Sequence, residues 1–287
     1  MKNFAKFLIS SLIKMLGYSK IGRFIETTLI TQAMSQHSSV THKNVKLDFV
    51  TPNALTKWRV KTFCDKEPET LEWIDNMSDN DVFWDVGANI GLYSIYAAKR
   101  HKIPVFSFEP SIFNLELLGR NCAINEAAEF VSIIPLALSD KMQTNKMRHS
   151  TTNWGGALSA FGASYGSDGT DLHSVLEYRT LGLSADELIQ HAIITPPSHI
   201  KIDVDGIEHI VLRGAKEVLL STKSVLIEVN ENFTEQFAEV SRLLENSGFT
   251  LTETHASPYT ETREESRIFN QIWKRTNATE TNYKSAS

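Results

Sequence analysis

The chain has 287 residues, 41% of them hydrophobic and 22% charged, with 14 glycines and 8 prolines, a composition that excludes collagen-like, disulfide-scaffold and wholly disordered proteins. A formal net charge of −5 supplies no positive field for gripping a phosphate backbone, so nucleic acid is not the expected partner. Two cysteines, Cys64 and Cys122, make neither a disulfide framework nor a four-cysteine zinc site and suit a reducing compartment.

Residues 1–50 read as an N-terminal extension. No acid precedes Glu26, while Lys2, Lys6, Lys14, Lys20 and Arg23 surround an apolar series from Phe4 to Leu16. The apolar run Phe7–Ile13 stops at Lys14, too short to cross a bilayer, and no small-residue cleavage site follows closely, so neither a membrane span nor a secretory signal is expected. The pattern predicts a basic, partly amphipathic helix. Packing on the body or a partner is the first expectation for it; the second, for a protein expected in the cytoplasm, is peripheral contact of residues 1–25 with the inner membrane surface.

Residues 51–275 read as one domain. Asp81–Val86 (DVFWDV) is a short buried strand that runs into Gly87-Ala-Asn-Ile-Gly91 and the apolar-periodic helix Leu92–Arg100. Val105–Phe108 is the next strand, opened by Pro104 and closed by Glu109-Pro110; Ile112–Ile124 has helical spacing, and Phe130–Pro135 gives a third strand. A strand at His199–Val204, a helix near Ile207–Leu220, a strand at Ser224–Val229, a helix at Glu235–Asn246 and a strand at Phe249–Thr254 follow, with Phe269–Lys274 returning antiparallel. Strands separated by helices predict an α/β fold, a doubly wound, mostly parallel Rossmann-like sheet with an antiparallel last strand. Residues 140–182 hold six of the 14 glycines in a connection long enough to predict an irregular lid or binding loop. Ser257–Arg267 reads as a polar loop and residues 276–287 as a disordered tail.

In such a sheet, ligands sit beyond the carboxyl ends of the strands, where the chain order reverses. Asp85-Val-Gly87-Ala88-Asn89-Ile-Gly91 lies at such an end, and Gly87 and Gly91 permit a tight turn with no Cβ before a ligand. Glu109, 24 positions after Asp85, stands where a carboxylate accepts hydrogen bonds from both ribose hydroxyls of an adenosine. Asn89 replaces the second glycine of a dinucleotide turn, and no lysine-bearing phosphate loop is present. A carboxylate at Asp85 would repel a pyrophosphate but attract the amino group and sulfonium of S-adenosylmethionine, so a methyl donor fits best.

Phe83–Tyr93 (FWDVGANIGLY), Phe106–Pro110 (FSFEP), Ala137–Asp140 (ALSD), Asn153–Gly156 (NWGG) and Ile200–Glu208 (IKIDVDGIE) together resemble the FkbM family of S-adenosylmethionine-dependent methyltransferases over roughly residues 80–255. The resemblance implies a class I methyltransferase fold and O-methylation of a hydroxyl on a sugar, glycan precursor or secondary metabolite. It implies Asp85, Gly87, Ala88, Asn89 and Gly91 at the methionine end of the donor, Glu109 with Pro110 at the ribose, and Ser139 with Asp140 beside the adenine. Two motifs depart from the family pattern. Asp203-Val-Asp205-Gly206 stands in place of Asp-x-Glu-Gly, and Leu183–Leu188 matches a Leu-Asp-Asp-like segment only loosely.

In-line methyl displacement asks chiefly for near-attack geometry and the exclusion of water, and a carboxylate within reach of an acceptor hydroxyl removes its proton as the bond forms. Alternation along the fourth strand puts Lys201, Asp203 and Asp205 on one face, which makes Asp203 or Asp205 the catalytic base or substrate anchor, with Trp154, Glu208 and Asn230 as acceptor contacts. Simpler roles stand beside these: Asp205 and Glu208 cap the following helix, Trp154 and Tyr165 anchor their loop, and His209 is structural. Asp203 with Glu228 or Asn230 is an alternative site for a divalent metal, which is not expected, and the EF-hand-like start at Asp203 lacks both the preceding helix and the later acids. Asn232-Phe-Thr234 and Asn277-Ala-Thr279 match the glycosylation pattern by chance. The expectation is an O-methyltransferase acting on a small-molecule or glycan hydroxyl; the alternative from another class is a non-catalytic adenosine-binding or scaffold module attached through its N-terminal helix.

Overall fold

A computed structural model of the chain describes residues 2–256 and 267–276; the expected tail at 277–287 and residues 257–266 of the expected polar loop lie outside it. In chain order the helices are α1 (Lys2–Leu16), α2 (Lys20–Ser35), α3 (Ala54–Lys61), α4 (Phe63–Lys66), α5 (Pro68–Asp75), α6 (Leu92–His101), α7 (Ile112–Ile124), α8 (Ala185–Gln190), α9 (Glu208–Arg213), α10 (Lys216–Ser221) and α11 (Thr234–Asn246). The strands are β1 (His37–His42), β2 (Val45–Val50), β3 (Phe83–Val86), β4 (Val105–Phe108), β5 (Val131–Ile134), β6 (Ala137–Ser139), β7 (Gln143–His149), β8 (Ser159–Phe161), β9 (Leu176–Ser184), β10 (His199–Ile202), β11 (Ser224–Asn230), β12 (Phe249–Ala256) and β13 (Ile268–Arg275).

Seven strands form the central sheet in the order β12-β13-β11-β10-β3-β4-β5. β5, β4, β3, β10 and β11 run parallel, and β13 inserts antiparallel between β11 and β12. The expected doubly wound sheet is therefore present. Chain order reverses between β3 and β10, the crevice where such sheets bind ligands. Every residue of β3 is buried, as a strand covered on both faces requires. Phe83, Val105, Val131 and Leu226 pack on one face against Ile95 and Tyr96 of α6 and Leu71 and Ile74 of α5. Trp84, Val86, Ile200, Ile202 and Ile227 pack on the other against Val211, Val218, Val240 and Leu244.

Two regions differ from the sequence expectation. The glycine-rich stretch 140–182 is not irregular throughout: β7 pairs with β8 and β9, and β9 with β6, in a second, four-stranded sheet. The alternating burial of β7 and β9 is a half-buried antiparallel pattern that the glycines obscure. The N-terminal 50 residues are likewise more than helix. Lys43 and Asn44, both at positive φ, close the β1–β2 hairpin as a two-residue turn of the primed kind. The outer edge of β2 is then paired by amide side chains of α7 and its C-cap: the N–H of Val50 donates to Asn121 Oδ1 at 2.7 Å and that of Asp48 to Asn125 Oδ1 at 3.0 Å. Leu47 and Phe49 are fully buried in the same core as α5 and α6.

The packed body thus begins near residue 37 and not at 51. Phe49→Ala is expected to lower unfolding free energy by about 3–5 kcal/mol, whereas Phe24→Ala in α2, where the side chain is 72% exposed, should change it by less than about 0.5 kcal/mol. Denaturant melts of the two variants check this.

Candidate active site

The carboxyl ends of β3, β4 and β10 open into one cavity of about 320 Å³. The turn after β3 is tied to both neighbours: the N–H groups of Gly87 and Ala88 donate to the Phe108 carbonyl, each at 3.0 Å, and the N–H of Asp203 donates to Val86 O at 3.0 Å. Gly87 has a φ of +87°, and a Cβ there would fall 1.9 Å from the Asp203 carbonyl oxygen. Its glycine is required by the closeness of two strand ends, in addition to the turn itself.

One wall carries Asn89, Glu109 and Asn114. Glu109 is buried, and its two carboxylate oxygens accept from the N–H of Asn89 at 2.9 Å and of Ser111 at 2.7 Å; burial nonetheless pushes its pKa up to about 7. Asn89 Nδ2 donates to Gly156 O at 2.9 Å, while its Oδ1 is a buried acceptor with no partner in the protein. Such an orphan acceptor is costly unless a ligand or water donates to it. Asn114 Nδ2 also donates to Gly156 O, at 3.1 Å, and its Oδ1 accepts from the N–H of Gly155. Arg59 Nε donates to Gly155 O and Asn53 Nδ2 to Trp154 O. Residues 154–156 are thereby strapped across this wall from α3, from α7 and from the turn after β3. Leu136, Ala137, Leu138, Met147 and Phe161 supply an apolar side.

The opposite wall is charged. Lys201 of β10 is buried, its Nζ 2.7 Å from Asp203 and 5.2 Å from the Tyr93 ring centroid. Register places it beside Asp85, and these carboxylates hold it protonated against the cost of burial. Glu67 accepts from Lys66 and, at 2.9 Å, from the Tyr93 hydroxyl. Glu228 of β11 completes this end of the cavity. The carboxyl groups diverge. Burial opposes ionisation of Asp203, but Lys201 and Lys66 outweigh it and bring its pKa below the usual range. Burial, reinforced by Asp203, pushes Asp205 up to about 6, and burial with Asp203 and Glu67 raises Glu228 well above an ordinary glutamate.

The family description for a methyltransferase FkbM domain matches residues 85–251. This chain belongs to that family. It is 27% identical over 174 residues to the hexuronic acid methyltransferase AglP of Haloferax volcanii, covering 60% of this chain and 66% of that protein. It is 35% identical over 72 residues to the methyltransferase sdnD of Sordaria araneosa, covering 25% and 28%. The chain thus spans just under two thirds of the first relative and about a quarter of the second. Among solved structures it is similar to the methyltransferase FkbM from Methylobacillus flagellatus KT, with 16% identity, a TM-score of 0.46 and coverage of 69% of this chain and 44% of that one. A precorrin-6y C5,15-methyltransferase from Geobacter metallireducens GS-15 gives 14% identity, a TM-score of 0.43 and coverage of 74% and 87%.

In this FkbM-family chain Gly87, Ala88, Asn89, Glu109, Pro110, Asp203 and Asp205, all named from the sequence, line this one cavity. Other expected contacts lie elsewhere. Asp85 is buried beneath the turn, accepting from Ser94 Oγ at 2.5 Å, with Ser107 behind it. Gly91 sits against Leu118, whose Cδ1 a Cβ would approach to 2.4 Å. Ser139 and Asp140 engage Gln143, and the apolar residues just before them line the cavity. Trp154 anchors its loop, donating to Glu116 at 3.2 Å. Glu208 is fully enclosed, accepting from the N–H groups of Val204 and Gly206 and from Gln236 Nε2, so it holds the 204–208 turn. Asn230 donates to Ser167 O. The Lys201 ammonium occupies Asp203 where a metal alternative would need a cation, and among the described residues no cluster of three or more His, Cys, Asp or Glu is arranged to hold one.

Arg59, Lys66 and Glu67 were not legible as site residues because α3–α5 carry no motif, and Asn114 because α7 carries none; Tyr93 ends the motif Phe83–Tyr93, but its position in sequence does not say that its ring covers Lys201. Lys201 and Glu228 did leave a signal: a charge inside the apolar runs Ile200–Ile202 and Leu226–Val229. Removal of the Asn114 amide should loosen the strap without unfolding the body. In Asn114→Ala, hydrogen exchange at the Gly155 amide is expected to rise roughly tenfold while the β3 amides stay protected.

Proposed function

We propose that the protein is an S-adenosylmethionine-dependent O-methyltransferase that acts on a hydroxyl of a sugar, glycan precursor or secondary metabolite. The observation that carries this reading is one continuous cavity with an adenosine-compatible wall at Asn89 and Glu109 and a carboxylate-rich wall at Asp203, Asp205 and Glu228. The unpartnered Asn89 Oδ1 suits the donor's ammonium group, the second lone pairs of the Glu109 oxygens suit ribose hydroxyls, and the slot at Leu136–Leu138 suits a flat base. When bound, such a donor supplies an electrophilic methyl group.

The protein's own contribution is to orient the acceptor and accept its proton. Asp203, fixed by Lys201, serves as the anchor for an acceptor hydroxyl. Asp205, with a pKa near the working range, is the better proton acceptor, because base efficiency peaks when the pKa lies close to ambient pH. Arg59 and Lys66, which also line the cavity, suit an acidic sugar, and the name of the Haloferax volcanii relative favours that class. The net charge of −5 favours a small acceptor over nucleic acid. A cytoplasmic setting suits Cys64 and Cys122, both free thiols.

Asp205 must be ionised to act, so kcat at saturating donor is expected to fall as pH drops through about 6. Asp205→Asn should remove that limb and lower kcat by roughly 10²-fold or more. Glu109 takes up a proton near pH 7 and then accepts fewer hydrogen bonds, so donor affinity should weaken below that pH; Glu109→Gln should weaken it about tenfold at pH 8 by calorimetry. Donor binding that survives with no transfer to any acceptor in a lysate would favour the binding-module alternative.

A further inference from the structure

We propose that residues 2–35 dock the protein on the surface of an anionic lipid bilayer. Helices α1 and α2 pack against each other so closely at Gly22 that an added Cβ would fall 1.8 Å from the Leu16 carbonyl oxygen. The pairing leaves most of their apolar surface in solvent. Of the 23 large hydrophobic side chains exposed among the described residues, 13 lie between Phe4 and Ile30, including Phe4, Phe7, Leu12, Ile21 and Phe24. Apolar surface concentrated in this way marks an interaction site.

Several polar groups of α2 and the connecting turn are satisfied internally. Thr27, Thr28, Thr31 and Ser35 each donate their hydroxyl to the carbonyl four residues earlier, at 2.8–2.9 Å. Ser19 Oγ accepts from the N–H of Gly22, and Arg23 donates to Gly17 O in the connecting turn. Helix hydroxyls turned back in this way cost little when water is replaced by an apolar surrounding.

Charge selects the occupant. Residues 1–35 carry five lysines and arginines against Glu26 alone, giving +4, while the rest of the chain carries −9. A second copy of the hairpin would bring like charges together. An anionic headgroup layer accepts the cations while its acyl boundary receives the phenylalanines and leucines. The helices lie on the bilayer and do not cross it: α1 has 15 residues and α2 has 16, shorter than the roughly 20 a span requires, and no helix among the described residues is long and apolar enough to cross. Met34 at the end of α2 packs on the Val50–Ile90–Leu117 cluster that also carries Trp154, so the docking face joins the body on the side of the strap.

The test uses the full chain with sedimenting vesicles of phosphatidylcholine alone and of phosphatidylcholine with about one third phosphatidylglycerol. The wild type should partition at least tenfold more strongly onto the anionic vesicles and lose that preference in high salt. Lys14→Glu/Lys20→Glu/Arg23→Glu should weaken anionic binding roughly 100-fold, and Phe7→Ser/Phe24→Ser should weaken binding to both vesicle types, with each variant retaining the melting transition of the body. Absence of vesicle binding, equal binding to both vesicle types, or a hairpin-dependent dimer in light scattering would overturn the proposal.

Discussion

A buried ammonium sets the terms for the charged half of this molecule. Lys201 is 1% exposed in a central strand, beside Asp85 on β3 and within 2.7 Å of Asp203, under the Tyr93 ring of α6. Asp85, Asp203 and Glu67 would repel one another in a low-dielectric interior without it. Removing one partner of such a buried pair costs about 3–5 kcal/mol, so Lys201 ties β3, β10, α6 and the start of α5 together. The strand ends that frame the cavity can come as close as Gly87 and Asp203 do because this charge is compensated.

The same arrangement drives the pKa values of the neighbouring carboxyl groups apart. Lys201 is close enough to Asp203 to keep it ionised, whereas Asp205, two residues on at a φ of +58°, feels chiefly burial and the negative charge of Asp203. Neighbouring acids whose environments drive their pKa values apart form a pairing suited to anchoring and proton acceptance. On the other wall the pattern is one of hydrogen-bond supply: Glu109 spends one lone pair on each backbone donor, and Asn89 holds the 154–156 strap while its oxygen stays open to a ligand.

Much of this was legible in the sequence where two signals coincided. Buried apolar strands followed by helices placed β3, β4, β10 and β11 and gave the sheet type, because parallel crossovers leave few other arrangements. The turns at Gly87 and Glu109 were legible for the same reason, each being a short polar motif at a strand end. The roles of individual residues were less so. Asp85 and Glu208 lie in motifs yet act inward, on Ser94 and on the 204–208 turn, since sequence order does not say whether a carboxylate faces the cavity or the backbone beneath it. Arg59, Glu67 and Asn114 reach the site from elements without a motif, and the β1–β2 hairpin closes on Lys43-Asn44, a pair that carries no glycine to announce a primed turn.

The most direct test is a crystal structure of the full chain with S-adenosylhomocysteine, the product a methyl donor leaves behind. The account predicts its ribose hydroxyls within hydrogen-bonding distance of Glu109, its ammonium at Asn89 Oδ1, and its sulfur facing Asp203 and Asp205. Occupancy of the other end of the sheet, in the cavity between Trp73, His199 and Lys274, with the Asn89–Glu109 wall left empty, would contradict it.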